Sequence, residues 1–322
     1  MRATAPRRVF RLLIATLGAL ALPALATAQT PQTPPAQPAA AAPAEPTADD
    51  LLHQADQLLR AGKYDEAAAA IQRAESIAGG PCGDCLLGLG MVRTAQKRWD
   101  EALDLTRRAI PLLKSPESLA RAYNQLGLAL ARGQGDADRL KQAEAALRQA
   151  ADIGGAWGSV ARYNLAQVLF LEKRYADAAK VAREQLESVG AEDSTAQPAR
   201  VVLCQARAAL PEEPAPEGAE SPRKEGQVTR PAKIAGPPPV YTEEARKAKV
   251  EGTVILECVV DREGCVRQPK VLQGLSNGLS EAALAALRQW VFQPATLEGK
   301  PVSVYYTLSV TFKVDNEPPK KP

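Results

Sequence analysis

The sequence has little that catalysis uses, beginning with a single histidine, His53, among its 322 residues. Histidine is the usual acid–base group near neutral pH, and no triad-like pattern surrounds His53, so hydrolysis of the triad type is not expected. A glycine-rich phosphate loop is also missing, because the glycines fall at turns and helix ends. We therefore expect no catalytic, cofactor-binding or metal-binding residues, and a protein that is not an enzyme.

Aromatic residues are scarce too, at 4% of the chain, whereas alanine and leucine are abundant. That balance favours packed helices over an all-β protein. The formal net charge is only +3, and four of the arginines lie within the first eleven residues. Without those four the net charge becomes about −1, which argues against a nucleic-acid-binding surface.

The apolar run near the N-terminus, Leu12–Ala26, is shorter than the about 20 residues that a membrane span needs, and it contains Pro23. Arginines precede it, and Ala26-Thr27-Ala28 forms a cleavage pattern of the A-x-A type. The run therefore predicts a secretory signal peptide, residues 1–28, that is cleaved after Ala28. The expected location is the periplasm of a Gram-negative cell; an uncleaved inner-membrane anchor is the alternative.

Composition divides the rest of the chain. A tether rich in proline and alanine is predicted at 29–47, a helical repeat domain at 48–210, an acidic proline-rich linker at 211–229, a second folded domain at 230–316 and a disordered tail at 317–322.

Residues 48–190 repeat a helical pattern about four times. Tyr64 and Trp99 open matching segments 35 residues apart, and Leu140 and Tyr175 open another pair with the same interval. The segments share small residues where neighbouring helices must approach closely, at Ala67, Ala102, Ala143 and Ala178. The period resembles that of the tetratricopeptide repeat (TPR) family. We expect an all-α TPR solenoid of about four repeats, closed by a capping helix near Ala196–Ala209 that covers its apolar end.

The TPR resemblance also implies a concave groove for a protein partner, lined by the first helix of each pair. Asn124 and Asn164 each follow a tyrosine and match a position that faces the groove in that family, and Arg121 lies one turn before Asn124. These three residues are the candidate groove contacts. Ordinary solvated positions on helices are the alternative.

The second domain is predicted from three strands and two helices. Its last segment, Val302–Val314, alternates apolar and polar residues, which indicates a strand with one buried and one wet face. Gly252–Val260 and about Cys265–Leu272 are the other two strands, and Gly264 is expected to need a positive φ in the turn between them. Thr242 and Ser280 are candidate N-caps of the two helices.

This order resembles the TonB C-terminal domain over about residues 230–314. The matching residues include Pro239-Val-Tyr241, Gly252-x-Val254, Val260-Asp-x-x-Gly264, Trp290-x-Phe292-x-Pro294 and Gly299-x-Pro301-Val302. The resemblance implies a small α+β domain with a three-stranded antiparallel sheet and two helices. It also implies that an edge strand takes up an extended segment of a partner. The implied docking residues are Ser303, Tyr305, Thr307, Ser309 and Thr311.

Five cysteines in an exported protein are expected to pair in part. Cys82 and Cys85 form a candidate local disulfide, with two free thiols as the alternative. Cys258 and Cys265 flank the predicted hairpin turn, and a bridge between them would need some distortion. Cys204 is expected to be a buried, unpaired residue.

Taken together, the sequence predicts a periplasmic adaptor with two binding surfaces. The repeat groove would hold one partner, and the TonB-like domain would hold another envelope protein, such as an outer-membrane TonB-dependent transporter. The alternative is a membrane-anchored energy transducer of the TonB type. An enzyme would have to depend on His53 or on the Cys82–Cys85 pair. The oligomeric state is not predicted.

Overall fold

The structure is a computed structural model that describes residues 45–132, 136–190, 193–211 and 228–314. The chain divides into two compact units, Met1–Glu45 and Pro46–Pro322, and the described residues from Pro46 onward belong to the second. The predicted signal peptide, the predicted tail and most of the tether and of the acidic linker lie outside the described residues.

The repeat domain is built from helices that pair in chain order, the first with the second and so on, with the ninth at the end. Within the described residues the helices are α1 Ala48–Arg60, α2 Tyr64–Ala78, α3 Gly83–Ala95, α4 Trp99–Ala109, α5 Pro116–Arg132, α6 Ala137–Ile153, α7 Gly155–Leu171, α8 Tyr175–Ser188 and α9 Ala196–Ala208. A short 3-10 turn, Ile110–Leu112, follows α4. The predicted solenoid of about four helical pairs and a capping helix is confirmed.

A left-handed residue turns the chain inside three of the four pairs. Gly62, Lys97 and Lys173 have φ of 75°, 60° and 61°, and each stands two residues before the aromatic residue that opens the next helix. The third pair, α5 and α6, differs: the side chain of Asp136 caps α6 by accepting a hydrogen bond from the Arg139 amide at 2.7 Å. The small residues that the repeat places in the second helices, Ala67, Ala102, Ala143 and Ala178, are all completely buried.

The sheet domain, residues 228–314, contains the remaining elements: β1 Ala232–Ala235, α10 Glu243–Ala248, β2 Gly252–Val260, β3 Val266–Gln273, α11 Leu279–Leu287, β4 Val291–Gln293, β5 Ala295–Leu297, β6 Lys300–Val302 and β7 Val304–Phe312. The main sheet has the order β3-β2-β7 and is antiparallel throughout. This confirms the predicted α+β domain with its three-stranded sheet and two helices.

Alternation along β2 and β7 creates the core of the sheet domain. Val254, Leu256, Cys258 and Val260 of β2 face the same side as their partners Val310, Leu308, Tyr306 and Val304 of β7. Leu279, Ala283 and Leu287 of α11 pack on that side and are fully buried. Because apolar side chains occupy only one face of each strand, the other face of β7 carries the polar residues.

The turn between β2 and β3 requires glycine at Gly264, where φ is 88° as predicted. A Cβ at this position would overlap the carbonyl oxygen of Phe292. The predicted cap at Thr242 is also present, since its hydroxyl accepts a hydrogen bond from the Ala245 amide at 3.2 Å. The predicted cap at Ser280 is wrong. Gly278 precedes α11 instead, and the Ser280 hydroxyl bonds the Leu275 backbone at 2.8 Å.

A junction joins the repeat domain to the sheet domain at the end of α9. The Cys204 sulfur of α9 is bonded to Cys265 at 2.07 Å, and Arg207 of α9 forms an ion pair with Asp261 at 3.1 Å. The expectation that Cys204 is unpaired is therefore wrong. The disfavoured bridge between Cys258 and Cys265 is absent, because Cys265 is bonded to Cys204 and Cys258 is a free buried thiol. Cys265 lies beside α9 because the β2–β3 turn projects toward that helix. No local sequence pattern reveals this direction of the turn.

Candidate protein-binding surfaces

One exposed backbone edge is offered by β7. The strand pairs with β2 over nine residues, from Gly252↔Phe312 to Val260↔Val304, and no strand pairs with its other side in the described part of the chain. Unpaired N–H and C=O groups along such an edge can bond another extended segment. The structure thus places the alternating segment of the sequence at a sheet edge.

The candidate docking residues lie along this edge, on the face away from the core. Tyr305, Thr307, Ser309 and Thr311 belong to β7 and are exposed, with Tyr305 at 45%. Ser303 is half-buried and stands just outside β7, in the step from β6. The outer face is uncharged along β7.

Lys313, exposed directly after the end of β7, is the charge nearest to this edge along the chain, and the other charges of the outer face lie one strand away. Glu257 of β2 stands opposite Thr307 and binds Lys270 of β3 at 2.7 Å. The hydrogen bond to Glu257 raises the pKa of Lys270, so this lysine stays protonated. A segment that docks along β7 therefore meets hydroxyls and one tyrosine before it meets a charge.

Two cavities of the repeat domain are lined mainly by the odd-numbered helices. The N-terminal groove cavity, about 560 Å³, lies between α1, α3 and α5 and is lined by Asp49, His53, Asp56, Asp84, Met91 and Arg121 among others. The C-terminal groove cavity, about 390 Å³, lies between α5, α7 and α9 and is more apolar, with Leu128, Phe170, Leu171 and Val202 in its wall. A partner in this groove would meet polar groups first and an apolar surface further along.

Arg121 is held in place at the first of these cavities. Its guanidinium contacts a carboxylate oxygen of Asp56 at 2.5 Å, and the guanidinium carbon, Cζ, lies 5.2 Å from the centre of the Trp157 ring. The side chain is 30% exposed. Arg121 thus links α1, α5 and α7 and still presents part of its charge to the groove.

Asn124 and Asn164 are buried, so the alternative that they are ordinary solvated positions on helices is wrong. They are 2% and 5% exposed, and the Asn164 amide donates a hydrogen bond to the Asn124 side-chain oxygen at 2.8 Å. Asn124 therefore offers no open contact to a partner, which corrects its assignment to the groove surface. Asn164 forms part of the wall of the C-terminal groove cavity. The pair joins α5 to α7 because two buried amides satisfy each other.

Three of the remaining side chains singled out from the sequence are also accounted for. The only histidine, His53, lines the N-terminal groove cavity and is 3.0 Å from the side-chain amide of Gln57. Cys82 and Cys85 are joined, with sulfurs 1.94 Å apart, at the start of α3. Sequence reasoning missed the groove contribution of α9, which was interpreted only as a cap.

Comparison with known proteins identifies both domains. Residues 237–314 match the family described as the C-terminal domain of Gram-negative bacterial TonB protein, and residues 52–116 match a tetratricopeptide repeat family. The chain therefore contains a TonB-like domain preceded by TPR repeats, and both kinds of domain are non-enzymatic interaction modules that imply protein partners. Among described residues, the helices all lack the combination of length and apolar character that would let one cross a membrane.

The particular relatives are similar over parts of the chain. The protein TonB of Vibrio cholerae serotype O1 is 33% identical over 90 residues, which are 27% of this chain and 37% of that protein. A thermophilic TPR protein of Thermus thermophilus is 20% identical and covers 50% of this chain and 81% of its own, with a TM-score of 0.41. YrrB, a TPR protein with an unusual peptide-binding site, is 18% identical, covers 50% of this chain and 76% of its own, and has a TM-score of 0.37.

Proposed function

We propose that the protein is a non-enzymatic periplasmic adaptor that binds two protein segments. The observation that carries the proposal is the unpaired outer edge of β7 in the TonB-like domain, together with a separate groove in the repeat domain. An extended segment of an envelope protein adds to β7 as a fourth strand, and a second protein occupies the groove.

Strand addition at β7 is supported by the chemistry of the edge. Each hydrogen bond added to the edge contributes about 1 kcal/mol net, so a segment of five or six residues gains a useful affinity from its backbone alone. Tyr305 adds a large exposed ring at one end, and Thr307 to Thr311 add hydroxyls. The partner segment is therefore extended and tolerant in sequence, and its selectivity arises from the residue beside Tyr305.

The location is supported by the TonB-like relative, which points to the cell envelope, and by the predicted signal peptide. Outer-membrane TonB-dependent transporters are the partners that the TonB resemblance implies for the edge of β7. The groove partner is a second envelope protein with an apolar anchor that fits the C-terminal groove cavity and a polar stretch that fits the N-terminal one.

The experiment compares three variants of the full chain for capture of envelope proteins by periplasmic crosslinking. Thr307→Pro removes one backbone donor and the straight edge, Thr307→Ala removes only the side chain, and Tyr305→Ala removes the ring. We expect strong loss of capture for the proline variant, little loss for Thr307→Ala and partial loss for Tyr305→Ala. If the proline variant keeps its β-sheet circular dichroism and captures the same partner equally well, β7 is not the docking edge.

The transducer hypothesis is the second candidate, and its specific support is the 33% identity to a protein named TonB. It requires that the N-terminal apolar run stays attached as an anchor. N-terminal sequencing of the exported protein separates the two: a chain that begins at Gln29 supports the adaptor, whereas a chain that begins at Met1 in the membrane fraction supports the transducer.

A further inference from the structure

The disulfide at the junction is the one covalent link between the two domains that the described residues contain. It joins Cys204 of α9 to Cys265 at the β2–β3 turn, 61 positions later in the chain. The second disulfide, Cys82–Cys85, spans three positions inside one helix start. Only the first of them therefore affects how the two binding surfaces are arranged.

The non-covalent contacts across the junction are modest. Val291 and Cys265 are the fully buried residues of the sheet domain that belong to the core of the repeat domain, with Ile234 and Ala235 packed partly buried against it, and Cys265 is itself the disulfide partner. Among the described residues, the polar contacts include the Arg207–Asp261 pair, longer ion pairs from Glu263 to Arg207 at 3.7 Å and to Arg183 at 3.9 Å, and a hydrogen bond from Arg200 to Gln293. Ion pairs of this kind contribute little net stability, because desolvation offsets their attraction.

The disulfide borders a cavity at the junction although its cysteines are buried. Cys204 and Cys265 are 5% and 2% exposed, yet both line a cavity of about 210 Å³ at the junction. Arg207, Arg267 and Arg288 line the same cavity. Guanidinium groups favour a thiolate over a thiol, both for an attacking sulfur and for the sulfur that leaves.

The free cysteine of the sheet domain is not suited to open this disulfide. Cys258 lies in the core of the sheet domain, is 1% exposed, and has a pKa that burial raises to about 12. It therefore stays protonated at neutral pH and is a poor nucleophile, because exchange requires the thiolate. An exchange partner has to enter through the junction cavity.

We propose that Cys204–Cys265 is a thiol–disulfide exchange site for a dithiol reductant of the cell envelope, and that its reduction releases the sheet domain from the repeat domain. A thiolate of the reductant attacks one sulfur of the pair, forms a mixed disulfide and displaces the other sulfur as a thiolate. The second thiol of the reductant then attacks the mixed disulfide. The reductant leaves oxidised, as a disulfide, and Cys204 and Cys265 remain as two thiols.

In the oxidised protein the groove and the β7 edge move as one body. Two partners that bind together must therefore match a single distance between these surfaces. In the reduced protein the two surfaces are joined by the intervening chain only. The distance between the two binding surfaces thus depends on whether Cys204 and Cys265 are bonded. The affinity of each surface for its own partner does not depend on that bond.

The test measures energy transfer between two dyes in the full chain and follows the disulfides by mass. Unnatural amino acids carry the dyes at Glu75 of α2 and Lys300 of β6, which are both exposed. All dye-labelled samples contain Cys82→Ser and Cys85→Ser, so that Cys204–Cys265 is the disulfide that changes; a second sample without dyes keeps all five cysteines. Dithiothreitol serves as the dithiol.

We expect one narrow transfer population in the oxidised protein and a broad one after reduction, with a mass gain of two hydrogens. The further variant Cys204→Ser with Cys265→Ser should be broad without reductant and should not change when it is added. Unchanged helical circular dichroism shows that the repeat domain stays folded, and a Cys258 thiol that stays unreactive to iodoacetamide shows that the sheet domain does. The proposal is overturned if the population stays narrow after the mass gain or in the serine variant. It is also overturned if Cys204–Cys265 stays oxidised under conditions that reduce Cys82–Cys85 in the otherwise unchanged chain.

Discussion

Asp261 organises the turn that meets α9, and its replacement should separate two roles, as a hydrogen-bond acceptor and as a charge. The side chain is 3% exposed and accepts hydrogen bonds from the amides of Cys265 at 2.8 Å and Glu263 at 3.2 Å and from Arg207 at 3.1 Å. Asp261→Ala removes all three bonds. The Cys265 amide is buried, and a buried donor without its acceptor costs about 1–3 kcal/mol.

We expect Asp261→Ala to lower the free energy of unfolding by about 2–4 kcal/mol, since the lost contact with Arg207 adds to the orphaned amide. Asp261→Asn keeps one side-chain oxygen as an acceptor and should cost less than half as much. Urea unfolding followed by circular dichroism measures both, and hydrogen exchange locates the loss at the β2–β3 turn.

Glu263→Ala is the matched control, because this carboxylate lies in the same turn and its ion pairs are 3.7 and 3.9 Å long. It should cost less than about 1 kcal/mol. The reasoning is refuted if the alanine and asparagine variants of Asp261 cost the same, or if Glu263→Ala costs as much as Asp261→Ala.

The remaining predictions concern charge, packing and reactivity. Burial raises the pKa of Asp261 above the usual value of about 4, so between the usual and the raised pKa the folded protein binds more protons at this carboxyl than the unfolded chain does. The stability of the wild type should thus fall as pH rises from about 4 through the raised pKa, and Asp261→Asn should lack that slope in urea unfolding at several pH values. Gly127→Ala should destabilise although alanine favours helices by about 1 kcal/mol, because the new Cβ would lie 2.5 Å from the fully buried Leu147; overpacking of this kind costs about 1–3 kcal/mol. In a Leu147→Ala background the same change should become neutral or stabilising, and a persistent loss there would contradict the steric explanation. Asn164→Ala should cost about 1–3 kcal/mol in thermal or urea unfolding, because it leaves the Asn124 oxygen buried without its donor; a neutral result would show that water replaces the amide. Cys258 should resist iodoacetamide at pH 8 in the folded protein and react after denaturation, as mass spectrometry reports, since its thiol pKa is about 12; rapid labelling in the folded state would refute its burial.

Local patterns in the sequence predicted the elements well. The spacing of Tyr64, Trp99 and Tyr175 marks helix starts because each aromatic residue follows a left-handed turn residue. The alternation of β2 and β7 predicts their buried faces because successive side chains of a strand point to opposite sides. Helix starts and the buried faces of strands depend on residue types at fixed short intervals. They can therefore be predicted without knowledge of tertiary contacts.

Contacts between distant segments could not be predicted in the same way. Asn124 and Asn164 are polar residues on helices, and each would be unfavourable to bury alone; only their meeting across α5 and α7 makes burial possible. Ser280 follows the pattern of a helix cap, but its hydroxyl is engaged by the Leu275 backbone of the preceding loop. Cys204 pairs with Cys265 because of where the β2–β3 turn lands, which depends on the packing of the whole sheet domain.

The disulfide of the junction also constrains the order of events when the chain is made. Cys258 follows Cys204 as the next cysteine in the chain, ahead of Cys265, the residue to which Cys204 is bonded. A chain that emerges from its N-terminus and is oxidised at once would join Cys204 to Cys258, and that bond would pull the buried face of β2 outward. The native pairing therefore needs β2 and β3 to form first, so that Cys258 is covered, or a disulfide isomerase that reshuffles the early bond over seconds to hours. Yield of the native protein should thus depend on isomerase activity more than on oxidant.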